Sequence, residues 1–461
     1  MGLTLLFPVF GPAVFVLAVP AFSYLIKRAD DTIFRVAFIF CLGLCITGYF
    51  PAFYIRPGFD PILTFLINLL LYIILCLLHS LALSVSLWLG FKLTNKCALR
   101  CIYVPIFWAA AEWFIGSGPF AWPTLRLSLA LWQYPVFIQW ASFGGQLLVS
   151  AVIVAVNLFL AFAICKIKSR RAVFCAAAAV TIFTINLIPV FFMDSHTGKT
   201  VTAILVQPGV TVVGEDRGDV YVRALDLCEK AAQAKPDIIL VSESVLPYGF
   251  DEDEYLQKEW SDIAKTAQAD VIVGGRLNGH AAAYHFDSNG ALKTVAPKKR
   301  EVPLFENGVG DRQFRLIIDN SANIVSTKNA DMGILICYES MFSAMARNAA
   351  NDGASLLSVI TNDSCFDDDT AKNLHLAHGI YRAAETGRPL IQSGINGRTA
   401  AIQKNGIVTD IINHNESEIL EVNIEIQAKN TPYLIWGDWW LTLGVLFILG
   451  PKVILKFLFK K

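Results

Sequence analysis

Cys337, Glu243 and Lys298 are the residue types that covalent acyl chemistry needs. A cysteine thiolate attacks carbonyl carbon, and a carboxylate within reach takes the thiol proton. A nearby lysine ammonium lowers the thiol pKa and stabilises the oxyanion of a tetrahedral intermediate. Glu306, a short way beyond Lys298, is placed to hold that lysine. Each residue also has a plainer reading. A cysteine after a strand is usually core, a glutamate at a strand end is often a cap, and Lys298-Lys299-Arg300 suits a solvated face. Spacing alone does not bring the three together.

The elements around them favour the chemical reading. Glu243 follows the apolar run Ile238-Ile239-Leu240-Val241, and Cys337 closes Met332-Gly333-Ile334-Leu335-Ile336. Runs apolar throughout are expected of strands buried on both faces, and a rigid sheet aims the groups at its strand ends into a shared cleft. Strands are expected at 201–206, 238–242, 271–275, 316–320, 333–337, 356–361, 389–393, 399–403 and 418–424. Helices are expected at 219–235, 254–267 and 369–385. Asn405-Gly406 signals a hairpin. Strands alternating with helices predict an α/β domain.

Composition divides the 461 residues. Charged residues make up 16% and mean hydropathy is +0.51, against about 25% charge in soluble proteins. The depletion is concentrated in 1–193, a predicted transmembrane helical domain of about six spans. Residues 194–430 read as a soluble catalytic domain, and 431–461 as a C-terminal transmembrane helix with a basic tail. Apolar runs long enough to cross a bilayer lie at 4–26, 33–54, 62–91, 101–116, 136–165, 172–193 and 434–458. Lys27 and Arg28, then Lys92, Lys96 and Arg100, then Lys166, Lys168, Arg170 and Arg171, occupy every second loop, whereas 55–61 and 117–135 each hold one arginine. Basic loops stay cytoplasmic, so the α/β domain is expected outside the cytoplasm. That arrangement puts the N-terminus outside too, unless the first span, with Pro8, Gly11-Pro12 and Pro20, is a re-entrant hairpin. Glu112 sits within an apolar span, where a carboxylate suggests a role or a structural hydrogen bond to a neighbouring helix.

With 38 basic and 38 acidic residues and no basic stripe, nucleic-acid binding has no support. Seven of the ten cysteines fall in 1–193 as apolar filler, Cys97 and Cys101 among them. Cys228, Cys337 and Cys365 lack zinc-type spacing, and no disulfide framework is implied.

The motifs resemble the bacterial apolipoprotein N-acyltransferases, membrane members of the nitrilase (carbon–nitrogen hydrolase) superfamily. Val241-Ser242-Glu243-Ser244-Val245-Leu246-Pro247 is similar to the segment around the family's base. Lys298 with Pro303 and Glu306 matches its lysine segment, and Ile336-Cys337-Tyr338-Glu339 its nucleophile motif. Thr361-Asn362-Asp363, His375, Arg382-Ala383, Glu385-Thr386-Gly387-Arg388-Pro389 and Asn396-Gly397 follow in the family's order. In the apolar half, Trp108, Glu112 and Gly118 to Trp122 resemble its Trp–Glu–Gly-Phe-Pro-Trp pattern.

The resemblance implies a nitrilase-like αββα sandwich facing the periplasm from a multi-pass inner-membrane anchor. It implies acyl transfer from a phospholipid, through a Cys337 thioester, to the amine of a lipid-modified lipoprotein cysteine. Glu243 would be the base and Lys298 the oxyanion partner, supported by Glu306, the Tyr338 N–H and Glu339, with no metal or organic cofactor. The sequence departs from the family by one span fewer, by a Lys298-to-Cys337 interval of 39 positions that shortens the arm after Glu306, by Cys365 in place of the usual tryptophan, and by Asp367-Asp368-Asp369 and Arg398. These departures keep two alternatives open: a divergent conjugal-transfer-associated paralogue using the same trio on another substrate, and a non-catalytic membrane scaffold.

Overall fold

In a bilayer the backbone polar groups of a long apolar run must bond within their own segment, so such runs coil into helices. Shorter apolar runs in a mixed sequence instead pair into sheets. The computed structural model contains both solutions. It describes residues 4, 7–27, 32–50, 61–166, 169–185, 198–209, 217–303, 306, 319–366, 368–413, 415–426 and 430–458. The described residues form one unit within 1–54, 59–193 and 435–461 and another within 194–434.

The first unit is helical. A 3-10 helix, Pro8–Phe15, precedes α1 (Val19–Lys27). Then follow α2 (Thr32–Gly48), α3 (Pro61–Lys92), α4 (Cys97–Ile115), α5 (Ala141–Cys165), α6 (Arg170–Ile185) and a C-terminal helix, Trp439–Leu458. Among the described residues, Val9–Lys27, Pro61–Lys92, Cys97–Ile115 and Ala141–Cys165 are long and apolar enough to cross a membrane. Thr32–Gly48 and Trp439–Pro451 are apolar but shorter. The ends of the spans expected at 33–54 and 172–193 lie outside the described residues from 51 and 186 onward. The run expected as one span at 136–165 is interrupted: a short helix, Pro135–Ile138, comes first, and Gly144 and Gly145 leave helical geometry. At Gly144 the Trp440 indole N–H donates to the backbone carbonyl at 2.9 Å, and a Cβ there would lie 2.9 Å from that indole nitrogen.

Several polar side chains inside this unit bond to backbone groups or to one another. Asn157 accepts from the Ala18 N–H and donates to the carbonyls of Val14 and Ile153, each at 2.9 Å. The hydroxyls of Ser80 and Ser84 bond back to carbonyls one turn earlier. His79, buried, pairs with the Tyr49 hydroxyl. Glu112 has the structural role: its carboxylate accepts from the Trp108 indole at 2.9 Å and from the Leu127 N–H at 3.1 Å, tying the segment after α4 to that helix.

The second unit is an α/β sandwich. Its first sheet runs β12-β1-β2-β3-β4-β5, with β1 Lys199–Gln207, β2 Ile238–Val241, β3 Asp270–Leu277, β4 His280–Phe286, β5 Leu292–Pro297 and β12 Glu418–Ile426. Its second runs β11-β10-β9-β8-β7-β6, with β6 Asn323–Ser326, β7 Asp331–Ile336, β8 Leu356–Thr361, β9 Leu390–Gly394, β10 Thr399–Ile402 and β11 Val408–Ile412. Strand alternation divides the side chains. Val201, Ala203, Leu205, Ile238, Leu240 and Ile272 meet Met332, Ile334, Ile336, Leu356 and Ile360 of the other sheet. The opposite residues, Ile204, Val206, Ile239, Val241 and Val271, pack under α7 (Arg217–Gln233) and α8 (Glu254–Ala267) through Ala224, Cys228, Trp260 and Ile263. On the second sheet α9 (Ser343–Asn351) packs on β7 and α10 (Asp369–Thr386) on β9. The layers are αββα, the arrangement that the resemblance implies.

Local chemistry explains the helix ends. Asp253 accepts from the N–H groups of Tyr255 and Leu256 at 2.9 and 3.1 Å, and Asp368 from Thr370 at 2.7 Å, both at the N-cap where such side chains are favoured. Gly387, at φ +66, closes α10.

Three sequence expectations need correction. Of the strand expected at 316–320, residues 316–318 lie outside the described residues and 319–320 are not in a strand; the edge strand is β6. The strands β4, β5 and β11 were not expected. Their antiparallel pairing exposes part of β5 and β11, so their sequences lack the continuous apolar run of the central strands. Cys337 does not end a strand: β7 stops at Ile336, and Cys337 opens a 3-10 turn with φ +53.

Replacing Glu112 with leucine leaves the Trp108 and Leu127 N–H groups unpaired, at roughly 1–3 kcal/mol each. Glu112→Leu is therefore expected to lower the unfolding temperature in detergent clearly, and Glu112→Gln, which keeps an acceptor, much less. Equal losses in the two would show that charge rather than acceptance matters.

Candidate active site

The second unit brings Glu243, Lys298 and Cys337, each just past the end of a strand, together with Glu306 from the loop after β5. Glu243 leaves β2 through a tight turn. Ser244 has φ +60, and the N–H groups of Val245 and Leu246 both donate to the Gly274 carbonyl at 2.9 Å. A Cβ at Gly274 would lie 2.4 Å from the Glu243 Cα. Only glycine lets β3 come so close to the backbone that carries this carboxylate.

Lys298 follows β5, its N–H donating to the Ala281 carbonyl at 2.8 Å. Its side chain is fully buried and lies between two carboxylates. Nζ donates to Glu243 Oε1 at 3.2 Å and to Glu306 Oε1 at 2.8 Å. Glu306, only partly buried, is held in turn by the Val302 N–H at 2.7 Å on Oε2. Glu243 Oε2 accepts the Asn362 N–H, from the second sheet, at 3.0 Å.

Cys337 is half-buried at the start of its turn. Two residues on, Glu339 is fully buried and points back under the site. Oε2 accepts from the Ile336 N–H at 2.8 Å, and Oε1 from the N–H groups of Lys299 and Arg300 at 2.5 and 3.0 Å. One carboxylate thus fastens the turn that carries Cys337 to the segment carrying Lys298. Tyr338 is buried edge-on against Phe342, with ring centroids 4.8 Å apart, and the Arg300 guanidinium covers the Phe342 ring at 3.7 Å.

The electrostatics follow from burial and the three neighbouring charges. Burial raises the Glu243 carboxyl, and the Glu306 charge adds to this against the opposing pull of Lys298. Burial alone would lower the Lys298 ammonium, but Glu243, Glu306 and Cys337 together push it well above the ordinary lysine value. Burial and Glu243 push the Cys337 thiol up, with Lys298 opposing. In this resting state the proton stays on sulfur and the charge on lysine. The proton can pass to a carboxylate whose affinity for it is raised. A negative oxygen formed near Cys337 would meet an ammonium already fixed.

Two buried groups near the trio had no assigned role in the sequence. Asp363, in the loop after β8, pairs with His375 of α10 at 2.7 Å. The Sγ of Cys337, an Asp363 oxygen and a His375 nitrogen lie within 4.8 Å of one another, a set with metal-ligand atoms. Cys365 is near as well: burial raises its thiol, and Asp363, Glu243 and Glu306 add to this. Asp363 and His375 belong to recognisable motifs, but no spacing rule links a loop to a position nearly two turns into the next helix.

Burial raises the Glu339 carboxyl from near 4.5 to about 7, despite the N–H groups of Ile336, Lys299 and Arg300 and the charge of Lys298. A carboxyl raised on folding contributes stability that is full below about 4.5 and is lost as pH rises through about 7. Glu339→Gln should flatten that slope of stability against pH. It should also cost roughly 1–3 kcal/mol, because an amide NH2 then faces a backbone donor. An unaltered slope would rule out Glu339 as its source.

Residues 202–431 match the family described as carbon-nitrogen hydrolase, and residues 1–159 the apolipoprotein N-acyltransferase N-terminal domain. The chain is 22% identical to the apolipoprotein N-acyltransferase of Thermotoga maritima, over 78% of this chain and 72% of that one. It is 23% identical to the apolipoprotein N-acyltransferase of Gloeobacter violaceus, over 95% and 89%. Among solved structures, an amidase from Nesterenkonia sp. aligns at 17% identity over 54% of this chain and 98% of its own, with a TM-score of 0.43. With the helical and the catalytic halves each matched, in order and on one polypeptide, this chain belongs to the apolipoprotein N-acyltransferase family and is a membrane-bound N-acyltransferase of the carbon–nitrogen hydrolase superfamily.

Proposed function

We propose that the chain moves an acyl group from a membrane phospholipid to the N-terminal amine of a lipid-modified lipoprotein cysteine, through a thioester on Cys337. The observation that carries this reading is the buried Lys298 ammonium held between Glu243 and Glu306, with Cys337 among its close electrostatic partners.

In the first half-reaction Glu243 takes the Cys337 proton and the thiolate attacks the phospholipid ester carbonyl. The oxyanion that forms is stabilised by Lys298 and by the Tyr338 backbone N–H. Collapse breaks the ester C–O bond, and Glu243 returns its proton to the departing lysophospholipid oxygen. In the second half-reaction the lipoprotein amine attacks the thioester and Glu243 takes a proton from the attacking nitrogen. Collapse breaks the C–S bond, forms the amide and leaves Cys337 to regain the proton. Glu306 keeps Lys298 in place, and Glu339 fixes the turn that carries the nucleophile. No metal or organic cofactor takes part in these steps.

Both substrates are lipids, which fits an enzyme anchored by apolar helices. The alternating basic loops support a catalytic unit on the periplasmic side of the inner membrane. A second reading keeps the chemistry and changes the acceptor. It is favoured by the 39-residue interval from Lys298 to Cys337 and by Cys365 beside the site, features that touch substrate-facing loops rather than the trio.

Expression in a bacterium depleted of its own lipoprotein N-acyltransferase, with mass spectrometry of lipoprotein N-termini, tests the proposal. A third acyl chain that disappears with Cys337→Ala is the expected result. A correctly inserted protein, labelled by a thiol reagent at Cys337 yet adding no third chain, would favour the second reading. Glu243→Gln is expected to slow acyl-enzyme formation by at least about 100-fold, the lower end of general-base effects, and unchanged kinetics would remove it as the base.

A further inference from the structure

Helix α10 reaches the nucleophile turn with two buried cations, neither of which belongs to the trio. His375 and Arg382 are at most 1% exposed. Arg382 donates to the carbonyls of Ser340 and Met341 at 3.2 and 3.1 Å and is ion-paired with buried Glu385 at 2.8 Å. His375 lies nearer the reactive thiol. Its Nε2 is 3.1 Å from the Cys337 carbonyl oxygen and 3.1 Å from the Ser340 hydroxyl, and its Nδ1 is 2.7 Å from Asp363 Oδ1.

A carboxylate and a carbonyl oxygen can only accept. A neutral imidazole has one N–H, so it would leave one of these two acceptors facing a lone pair. Only the imidazolium donates to both. Burial alone would lower the His375 pKa, yet Asp363 and the Cys337 carbonyl raise it, in agreement with that geometry. Asp363 is itself built in. Thr361 donates to Oδ1 at 3.0 Å, and Oδ2 lies against Gly397, where a Cβ would be 2.1 Å away. The held residue is strained: Cys337, at φ +53, occupies the left-handed region, which disfavours side-chain-bearing residues.

We propose that Asp363 and His375 form a buried charged clamp on the Cys337 carbonyl, fixing the left-handed backbone of the nucleophile and balancing the charge beside its thiol. His375 is a positioning residue that acts through the Cys337 backbone and the Asp363 charge. The inference rests on Cys337 being the nucleophile of the proposed reaction. The titratable and charged groups around that thiol are Glu243, Lys298 and Glu306, Asp363 and Cys365 after β8, and Glu339 in its own turn. His375 is faced by Asp363, Cys337 and Glu243. Asp363 by itself raises the Cys337 thiol, so removing only the cation leaves that charge uncompensated.

The test is the pH dependence of Cys337 alkylation by iodoacetamide in the purified full-length protein in detergent, read by mass spectrometry of the Cys337 peptide. His375→Gln keeps a donor near the carbonyl and removes the charge. It is expected to move the alkylation midpoint up by about one pH unit, about tenfold in rate at a fixed pH below it. Asp363→Asn combined with His375→Gln removes both charges and is expected to return the midpoint close to wild type. A structural role alone would leave the midpoint fixed, or impair the double variant as much as the single; either result overturns the clamp. If His375→Gln fails to fold, the double variant carries the test: a folded protein alkylated at near the native rate supports the clamp, and an unfolded or unreactive one overturns it. Alkylation needs only the thiol, so this outcome is independent of whether lipoproteins are the acceptor.

Discussion

An ammonium ion cannot be buried unpaired without a penalty of several kcal/mol, and Lys298 is buried completely. Everything around it follows from meeting that requirement. Glu243 supplies one carboxylate from the end of β2 and Glu306 another from the loop after β5. Two carboxylates against one ammonium leave negative charge in a buried space. That excess raises proton affinity at both Glu243 and Cys337. The second sheet contributes through the Asn362 N–H on Glu243, so the charged centre fastens the two sheets where their strands end.

The same logic recurs with different residues. Glu339 takes three backbone N–H groups and couples the Cys337 turn to the lysine segment. Arg382 with Glu385, and His375 with Asp363, bring neutralised charge to the carbonyls of that turn. In the helical unit Glu112, Asn157 and Ser80 each satisfy backbone or side-chain groups that lipid could not. The charged pairs near Cys337 are costly as stability devices. Their value lies in geometry: each hydrogen bond sets the position of a backbone segment near Cys337 or Lys298.

Legibility in the sequence tracked how locally each feature is encoded. The central strands were readable because burial on both faces demands apolar runs, as at Ile238–Val241 and Leu356–Thr361. The edge-side strands were not. His280–Phe286 contains alanine and histidine rather than a β-branched run, and it is a strand because β3 and β5 flank it. The trio was legible as residue types at strand ends, and its grouping came from family motifs. The partners of the trio were less so. Glu339 serves N–H groups about 40 positions earlier in the chain, and His375 serves a carbonyl 38 positions earlier. Such contacts are created by the meeting of β7, β8 and α10, and no short-range pattern announces them. Gly274 and Gly397 are the residues at which sequence and structure meet most directly, because each is required by another residue's approach, Glu243 in one case and Asp363 in the other.

The division between the charged centre and the loops around it has a physical basis in how the site is assembled. Glu243, Lys298 and Cys337 are positioned by strand ends and by Glu339, all of which belong to the sandwich. The loop after β8 touches this centre through the Asn362 N–H on Glu243 and through Asp363, which pairs with His375 and also acts directly on the Cys337 thiol. Both are present here although Cys365 and the acidic run that follows depart from the family's usual residues. A loop that retains its two contacts to the charged centre can vary elsewhere without disturbing proton transfer at the thiol. On the proposed mechanism, such variation would alter the wall that a substrate meets, so one acyl-transfer mechanism can be kept while the choice of acceptor changes.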